Sequence, residues 1–94
     1  MSFAVTNAVD VFVDGQRSIK LASANARRRV INIWAGDSDL WFGDRGVRGG
    51  TIGNKVRAGD RVELTLKGEI YVIRQGGTAG LCSFSEELAT DGTV

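Results

Sequence analysis

The stretch RVELTLKGEIYVIR, residues 61–74, decides the fold of this 94-residue chain. Apolar and polar side chains alternate through its first half, where Val62, Leu64 and Leu66 are separated by Arg61, Glu63 and Thr65. A period of two places the apolar set on the inward face of a β-strand and the polar set on the outward face. Lys67-Gly68 predicts a turn into a second strand, in which Ile70 and Val72 again share one face.

The same pattern continues in both directions from this stretch. Asp14-Gly15 predicts a hairpin turn into a strand that carries Ile19 and Leu21. The segment 22–29 alone offers a helical turn as an alternative. About eight short strands with frequent turns predict an antiparallel sandwich or barrel. The other strand-like runs are VDVFV (9–13), RRRVINIWA (27–35), DLWFG (39–43), NKV (54–56) and GLCSFSEEL (80–88).

The composition allows one domain with a thin core. Chains of this size are often stabilised by disulfides, metals or self-association. Cys82 is the single cysteine and histidine is absent, which removes an internal disulfide and disfavours a zinc site. The chain also lacks proline, one of the residues that protect strand edges from pairing. Self-association is therefore expected.

The charges are unevenly distributed although the net charge is only +1. Residues 17–61 hold ten Lys and Arg against four Asp and Glu, while the two ends together are acidic. This split suits docking on an acidic partner or head-to-tail packing of copies, and a solvated surface is the alternative. The start, MSFAVTNAVD, does not resemble a signal peptide, and no apolar run approaches a membrane span. We expect synthesis in the cytoplasm and no membrane partner.

Large aromatic residues occupy the face opposite the aliphatic one. If Ile31, Ile33 and similar residues fill the core, the outward rings would form one large apolar patch, which usually marks an interface. Burial of the rings by a second layer is the alternative. Arg27 and Arg29 share a face in a strand, opposite Arg28, and would form a basic docking band. The predicted interface residues are Phe12, Arg27, Arg29, Trp34, Trp41 and Tyr71.

No catalytic arrangement is recognisable. Without histidine there is no Ser-His or Cys-His pair, and Cys82 beside Phe84 is expected to be a buried small hydrophobe. Asp37, Asp39 and Asp44 cluster near a turn, but their spacing fits solvated turn residues better than a calcium loop. GGTIGNKV (49–56) lacks the spacing of a phosphate loop. We expect no enzyme activity, no cofactor and no metal.

A nucleic-acid-binding protein is the second alternative, although nucleic acid is the less favoured partner. A basic groove with stacking tryptophans would bind single strands. The opposed directions of Arg27 and Arg28 argue against it, because they divide the basic cluster between two faces. The residues that would form the groove are Arg27, Arg28, Arg29, Arg45, Arg48, Lys55, Arg57 and Arg61, with Trp34 and Trp41.

Residues 25–88 resemble a pattern of small virion proteins of tailed bacteriophages. In that pattern an arginine pair opens a strand, an aromatic strand follows, and a turn leads to an apolar strand and a terminal strand that ends in acidic residues. Its motifs are turn and strand signals without catalytic content. The matching segments are Arg27-Arg28-Arg29, Leu40-Trp41-Phe42-Gly43, Ala58-Gly59-Asp60, Gly68-Glu69-Ile70-Tyr71-Val72-Ile73 and Gly77-Thr78-Ala79.

The resemblance implies a single β-sandwich domain, jelly-roll-like, over residues 1–94. It implies a capsid decoration or cement protein of the virion that forms homotrimers and clamps the major capsid protein. A head-fibre, tail or head-tail module is the alternative placement. Residues 1–16 are not part of the pattern and are expected to form an extra strand or an arm. Residues 89–94 are expected to fray.

Overall fold

The computed structural model describes residues 3–50, 52–74 and 79–89. Within these ranges the chain forms nine β-strands and no helix, including none in 22–29. In chain order they are β1 (Phe3–Val5), β2 (Val9–Val13), β3 (Ile19–Ala22), β4 (Arg28–Trp34), β5 (Leu40–Gly43), β6 (Asn54–Val56), β7 (Arg61–Leu64), β8 (Ile70–Arg74) and β9 (Gly80–Ala89).

The strands form two antiparallel sheets. In the first sheet β9 lies between β4 and an edge made of β1 and β2, and β7 forms the opposite edge. The second sheet has the order β3-β8-β5-β6. Thr6, in the segment that joins β1 to β2, is hydrogen-bonded to β9. Its N–H donates to the Glu86 carbonyl, and its Oγ1 accepts the Glu86 N–H, both at 2.8 Å. If β1 and β2 are counted as one interrupted strand, each sheet has four strands.

The pairing follows a nested order along the chain. β5 pairs with β6, β4 with β7, β3 with β8, and β2 with β9. A chain that is folded as one long hairpin and then wound over two sheets is a jelly roll. The all-β, jelly-roll-like antiparallel sandwich predicted from the sequence is therefore confirmed.

The core lies between the two sheets and contains the aliphatic face predicted from the alternation. Val62 and Leu64 pack against it, whereas Leu66 is 54% exposed and its predicted inward position is wrong. β7 ends at Leu64, and the chain then leaves the first sheet to reach β8 in the second. The buried cluster consists of Val13, Leu21, Ala22, Ile31, Ile33, Ala35, Leu40, Phe42, Val56, Ile70, Val72 and Cys82.

The hairpin predicted at Asp14-Gly15 is wrong. β2 pairs with β9 in the first sheet, whereas β3 pairs with β8 in the second. The Asp14 carboxylate accepts the N–H groups of Gln16 at 2.9 Å and Arg17 at 2.8 Å, so a turn does form here. That turn carries the chain from one sheet to the other instead of back along its own strand.

The first and last described strands, β1 and β9, pair with each other. The segment 1–16 contains β1 and β2, and residues 1–2 are outside the described residues. Ala89, which we predicted to fray, is buried at the end of β9, and its N–H donates to the Arg27 carbonyl at 2.9 Å. The remaining tail, residues 90–94, lies outside the described residues.

A fully buried arginine closes each end of the sandwich. At one end Arg28 donates through Nε to Glu86 Oε2 at 2.7 Å, and through its Nη atoms to the carbonyls of Ser23, Leu66 and Gly68. These acceptors come from the β3–β4 and β7–β8 connections and from β9. The guanidinium therefore holds three segments together by charge-assisted hydrogen bonds.

Arg74 does the same at the opposite end. Its Nη atoms donate to the carbonyls of Ser38, Asp39 and Leu81, so it joins the β4–β5 connection to the start of β9. Its Nε is buried and has no hydrogen-bond partner among the described residues. Both open ends of the sandwich are thus closed by a side chain that satisfies main-chain carbonyls.

Candidate protein-binding surface

The four predicted interface aromatics lie on the outer faces of the sheets. Phe12 is 63% exposed. Trp34, Trp41 and Tyr71 are half-buried. Their neighbours in the same strands, such as Ile33 and Leu40, point into the core and are fully buried.

The four rings do not form the single patch that we predicted. Phe12 and Trp34 belong to β2 and β4 of the first sheet, whereas Trp41 and Tyr71 belong to β5 and β8 of the second. Outer faces of the two sheets point in opposite directions. The aromatic residues therefore form two separate surfaces on opposite sides of the sandwich.

The more exposed apolar surface lies on the first sheet and consists of Phe12, Leu81 and Trp34; we call it the Phe12 patch. Phe12 on β2 stands directly opposite Leu81 on β9, which is 55% exposed. Trp34 on β4 stands opposite Ser83, so Leu81 is its diagonal neighbour, within reach of a large ring. Leu81 was not among the predicted residues, although the inward positions of Cys82 and Phe84 indicate that it points outward.

Polar groups border the Phe12 patch. Asp10 stands opposite Ser83 on one side of it. On the other side Arg61 stands opposite Trp34 and donates through Nη1 to Asn32 Oδ1 at 2.7 Å. An apolar centre with a polar border is the usual anatomy of a protein–protein contact.

Trp41 on the second sheet is packed within the subunit. It stands between Lys55 on β6 and Ile73 on β8. Ile73 also points outward, yet it is only 6% exposed. Val47, in the loop that follows β5, is 4% exposed. The Trp41 Nε1 is buried and has no hydrogen-bond partner among the described residues. This ring contributes more to the subunit's own packing than Phe12 does.

Tyr71 is covered by its own chain. The Arg45 guanidinium lies 5.8 Å from the ring centroid, and its Nη2 is 3.4 Å from the Tyr71 hydroxyl oxygen. The hydrogen bond to this hydroxyl raises the pKa of Arg45 above its ordinary value. Tyr71 thus contacts the loop after β5 through Arg45, which lies over its ring.

The arginine run is divided by a register shift between Arg28 and Val30. This irregularity sends Arg28 into the end of the sandwich, while Arg29 is exposed. Arg27 lies in the turn before β4, where its N–H donates to Asn25 Oδ1 at 2.9 Å, and it is also exposed. The two predicted docking arginines therefore flank a structural one.

Two of the three turn aspartates, Asp39 and Asp44, have structural partners. Asp39 Oδ1 accepts the Ala58 N–H at 2.9 Å, and Lys55 lies 3.2 Å from Oδ2. The Ala58 hydrogen bond, followed by the Lys55 contact, holds the pKa of Asp39 below its ordinary 3.8. Asp44 Oδ1 accepts the Gly46 N–H at 2.8 Å. In the described part of the chain no three His, Cys, Asp or Glu residues are grouped so that they could hold a metal ion.

Cys82 lies in the core at 1% exposure, as expected of a small hydrophobe, and burial raises the pKa of its thiol. Ranges 3–50, 52–74 and 79–89 contain no helix that is long and apolar enough to cross a membrane. No protein-family model, curated protein or solved structure matches the chain.

Proposed function

We propose that this protein is a structural component of a tailed-phage virion that binds the assembled capsid surface as a decoration protein. It performs no chemistry and acts by stabilising contacts between capsomers. It assembles as a homo-oligomer, with a trimer favoured by the resemblance described above. A head-fibre, tail or head-tail module is the alternative placement within the virion.

The Phe12 patch carries this proposal. Phe12 and Leu81 are more than half exposed and directly opposed across two strands, next to Trp34. Adjacent exposed apolar side chains of this size lower the solubility of a free monomer and usually mark a surface that another protein covers. Aromatic residues are also the most frequent anchors of binding energy.

The jelly-roll architecture supports a protein that binds on two sides. The first sheet presents the Phe12 patch on its outer face, and the loops beside the outer face of the second sheet carry Arg17, Arg45 and Arg48. One face is thus suited to an apolar contact and the opposite face to an acidic one. A subunit of this kind can bind a copy of itself and the capsid at the same time.

The test compares two serine substitutions at matched leucines. Leu81→Ser removes the centre of the Phe12 patch, while Leu66→Ser removes a leucine of nearly equal exposure, 54% against 55%, outside it. Light scattering and sedimentation with assembled capsids measure self-association and attachment. We expect Leu81→Ser to lower the affinity of either self-association or capsid attachment by roughly tenfold or more, as for an interface anchor. Leu66→Ser should change neither affinity.

The copy number in purified virions decides the placement. Hundreds of copies per particle support a decoration protein, whereas a dozen or fewer indicate the tail or the head-tail junction. A stable monomer at micromolar concentration that does not sediment with capsids would refute the proposal.

A further inference from the structure

A second surface feature lies on the outer face of the second sheet. The β2–β3 connection and the loop after β5 border a shallow, open pocket of about 600 Å³. Ser18 Oγ donates to the Arg45 carbonyl at 3.2 Å and ties the two loops together. The lining of the pocket includes Arg17, Arg45, Arg48, Val47 and Ile73.

Three arginines are among the residues that line this pocket, and no Asp or Glu is. They are Arg17, Arg45 and Arg48, and we call the site the arginine pocket. The ion pairs Lys20–Glu69, Arg28–Glu86 and Lys55–Asp39 do not involve these arginines, although Asp14 attracts Arg17 and Glu69 attracts Arg45 electrostatically. Like charges held in one concavity repel each other and concentrate anions there.

Two carboxylates in the loops of the pocket accept main-chain N–H groups. Asp14 Oδ1 accepts the N–H groups of Gln16 and Arg17, and Asp44 Oδ1 accepts the Gly46 N–H. These hydrogen bonds fix the two loops that form the walls. The pocket is therefore shaped in the free protein, which reduces the ordering cost of binding.

The floor of the arginine pocket is apolar. Val47 and Ile73, both more than nine-tenths buried, form it between the charged walls. An occupant that fits must bring negative oxygen atoms to the walls and methylene or methyl groups to the floor. An acidic peptide with glutamate side chains has both features.

We propose that the arginine pocket binds an acidic peptide segment of a partner protein, with its carboxylates on Arg17 and Arg48. The planar guanidinium donates two parallel hydrogen bonds to a carboxylate. Single-stranded nucleic acid fits less well, because it binds by stacking bases on free aromatic faces. The nearby Tyr71 ring is covered by Arg45. This inference deepens the proposed function, since it names the chemistry of the partner segment.

The test is a fluorescence anisotropy titration of a labelled hexaglutamate peptide into the full chain. We expect binding that weakens with salt and that Arg17→Ala/Arg48→Ala reduces by roughly tenfold or more. Arg57→Ala is the control: it removes one charge at an exposed arginine outside the pocket and should change binding less than about twofold, whereas Arg17→Ala alone and Arg48→Ala alone should each weaken binding more. Arg17→Lys/Arg48→Lys keeps the positive charge but loses the paired N–H donors of the guanidinium, so it should give an intermediate loss of affinity.

Three results would overturn the inference. They are no hexaglutamate binding at low salt, an equal loss in Arg57→Ala and in the two single pocket variants, or tighter binding of an oligothymidylate that the pocket double variant abolishes. The last result would assign the pocket to phosphates. Because these titrations use the isolated protein, their failure leaves the capsid test of the Phe12 patch intact. Peptide binding without capsid attachment would refute only the virion function.

Discussion

Replacing Arg28 by alanine should destabilise the fold severely although it removes a charged residue. Its guanidinium is 0% exposed and is the shared donor for Glu86 and three main-chain carbonyls. The substitution leaves these four acceptors without that donor. An acceptor that stays buried without a partner costs much more than the net worth of the hydrogen bond that it loses, and Glu86 also loses its charge partner.

The size of the effect follows from the acceptors that remain. Breaking a buried ion pair by removing one partner costs about 3–5 kcal/mol. The Glu86 side chain keeps 17% exposure, so water partly solvates it and the lower half of that range applies. A domain of this length has a free energy of unfolding of roughly 5–14 kcal/mol. A loss of about 3 kcal/mol corresponds to roughly 12–24 °C in Tm.

The assay is equilibrium unfolding in urea followed by tryptophan fluorescence. Arg27→Ala is the control, since the neighbouring side chain is exposed and should change the free energy of unfolding by no more than about 0.5 kcal/mol. Arg28→Met should also destabilise, because no side-chain substitution removes the three main-chain carbonyls. If Arg28→Ala and Arg27→Ala unfold at the same urea concentration, Arg28 does not hold the end of the sandwich.

Two further predictions concern turns. Gly36→Ala should destabilise by more than Gly59→Ala, and urea midpoints measure the difference. Both glycines have φ near +80°, but a Cβ at Gly36 would lie 2.5 Å from the Leu81 carbonyl oxygen, whereas a Cβ at Gly59 meets nothing within 4 Å. If both substitutions lower the free energy of unfolding equally, by about 1 kcal/mol, only the cost of a positive φ at a non-glycine residue is measured. That result would contradict the predicted clash at Gly36. Asp39 has a lowered pKa in the folded state, so its stabilising contribution is present above the ordinary value of 3.8 and is lost as the pH falls through the folded pKa. Asp39→Asn should therefore make unfolding less steeply pH-dependent below about pH 4, and an unchanged acid transition would contradict it.

The sequence predicted which way side chains face better than it predicted which strands pair. Alternation in residues 61–64 and 70–74 is local information, and it placed Val62, Leu64, Ile70 and Val72 correctly. It also places Arg74 inward with Ile70 and Val72, so this buried arginine was predictable. The sheet to which a strand belongs depends on partners that are distant in sequence. The signal of Asp14-Gly15 is the same whether the chain returns along β2 or crosses to the second sheet.

The candidate site was predictable in part for the same reason. Phe12, Trp34, Trp41 and Tyr71 were placed on outer faces by alternation alone. Their division between two opposite surfaces follows from the jelly-roll winding, which no local pattern encodes. The burial of Arg28 depends on a register shift against β9 and is likewise not visible in the run Arg27-Arg28-Arg29. The arginine pocket brings residues 17 and 48 together through a loop that folds over the sheet.

The position of β9 makes this fold a slow one to reach. β9 separates β4 from the edge formed by β1 and β2, and its contacts include a pair of residues 80 positions apart. Closing such long loops costs entropy before any contact forms, and folding rates fall as the sequence separation of contacts rises. Until residues 80–89 have been synthesised, β1 and β2 lack the strand they pair with. The newly made chain must therefore keep Val9, Phe12 and the edge of β4 from aggregating until its last described strand arrives.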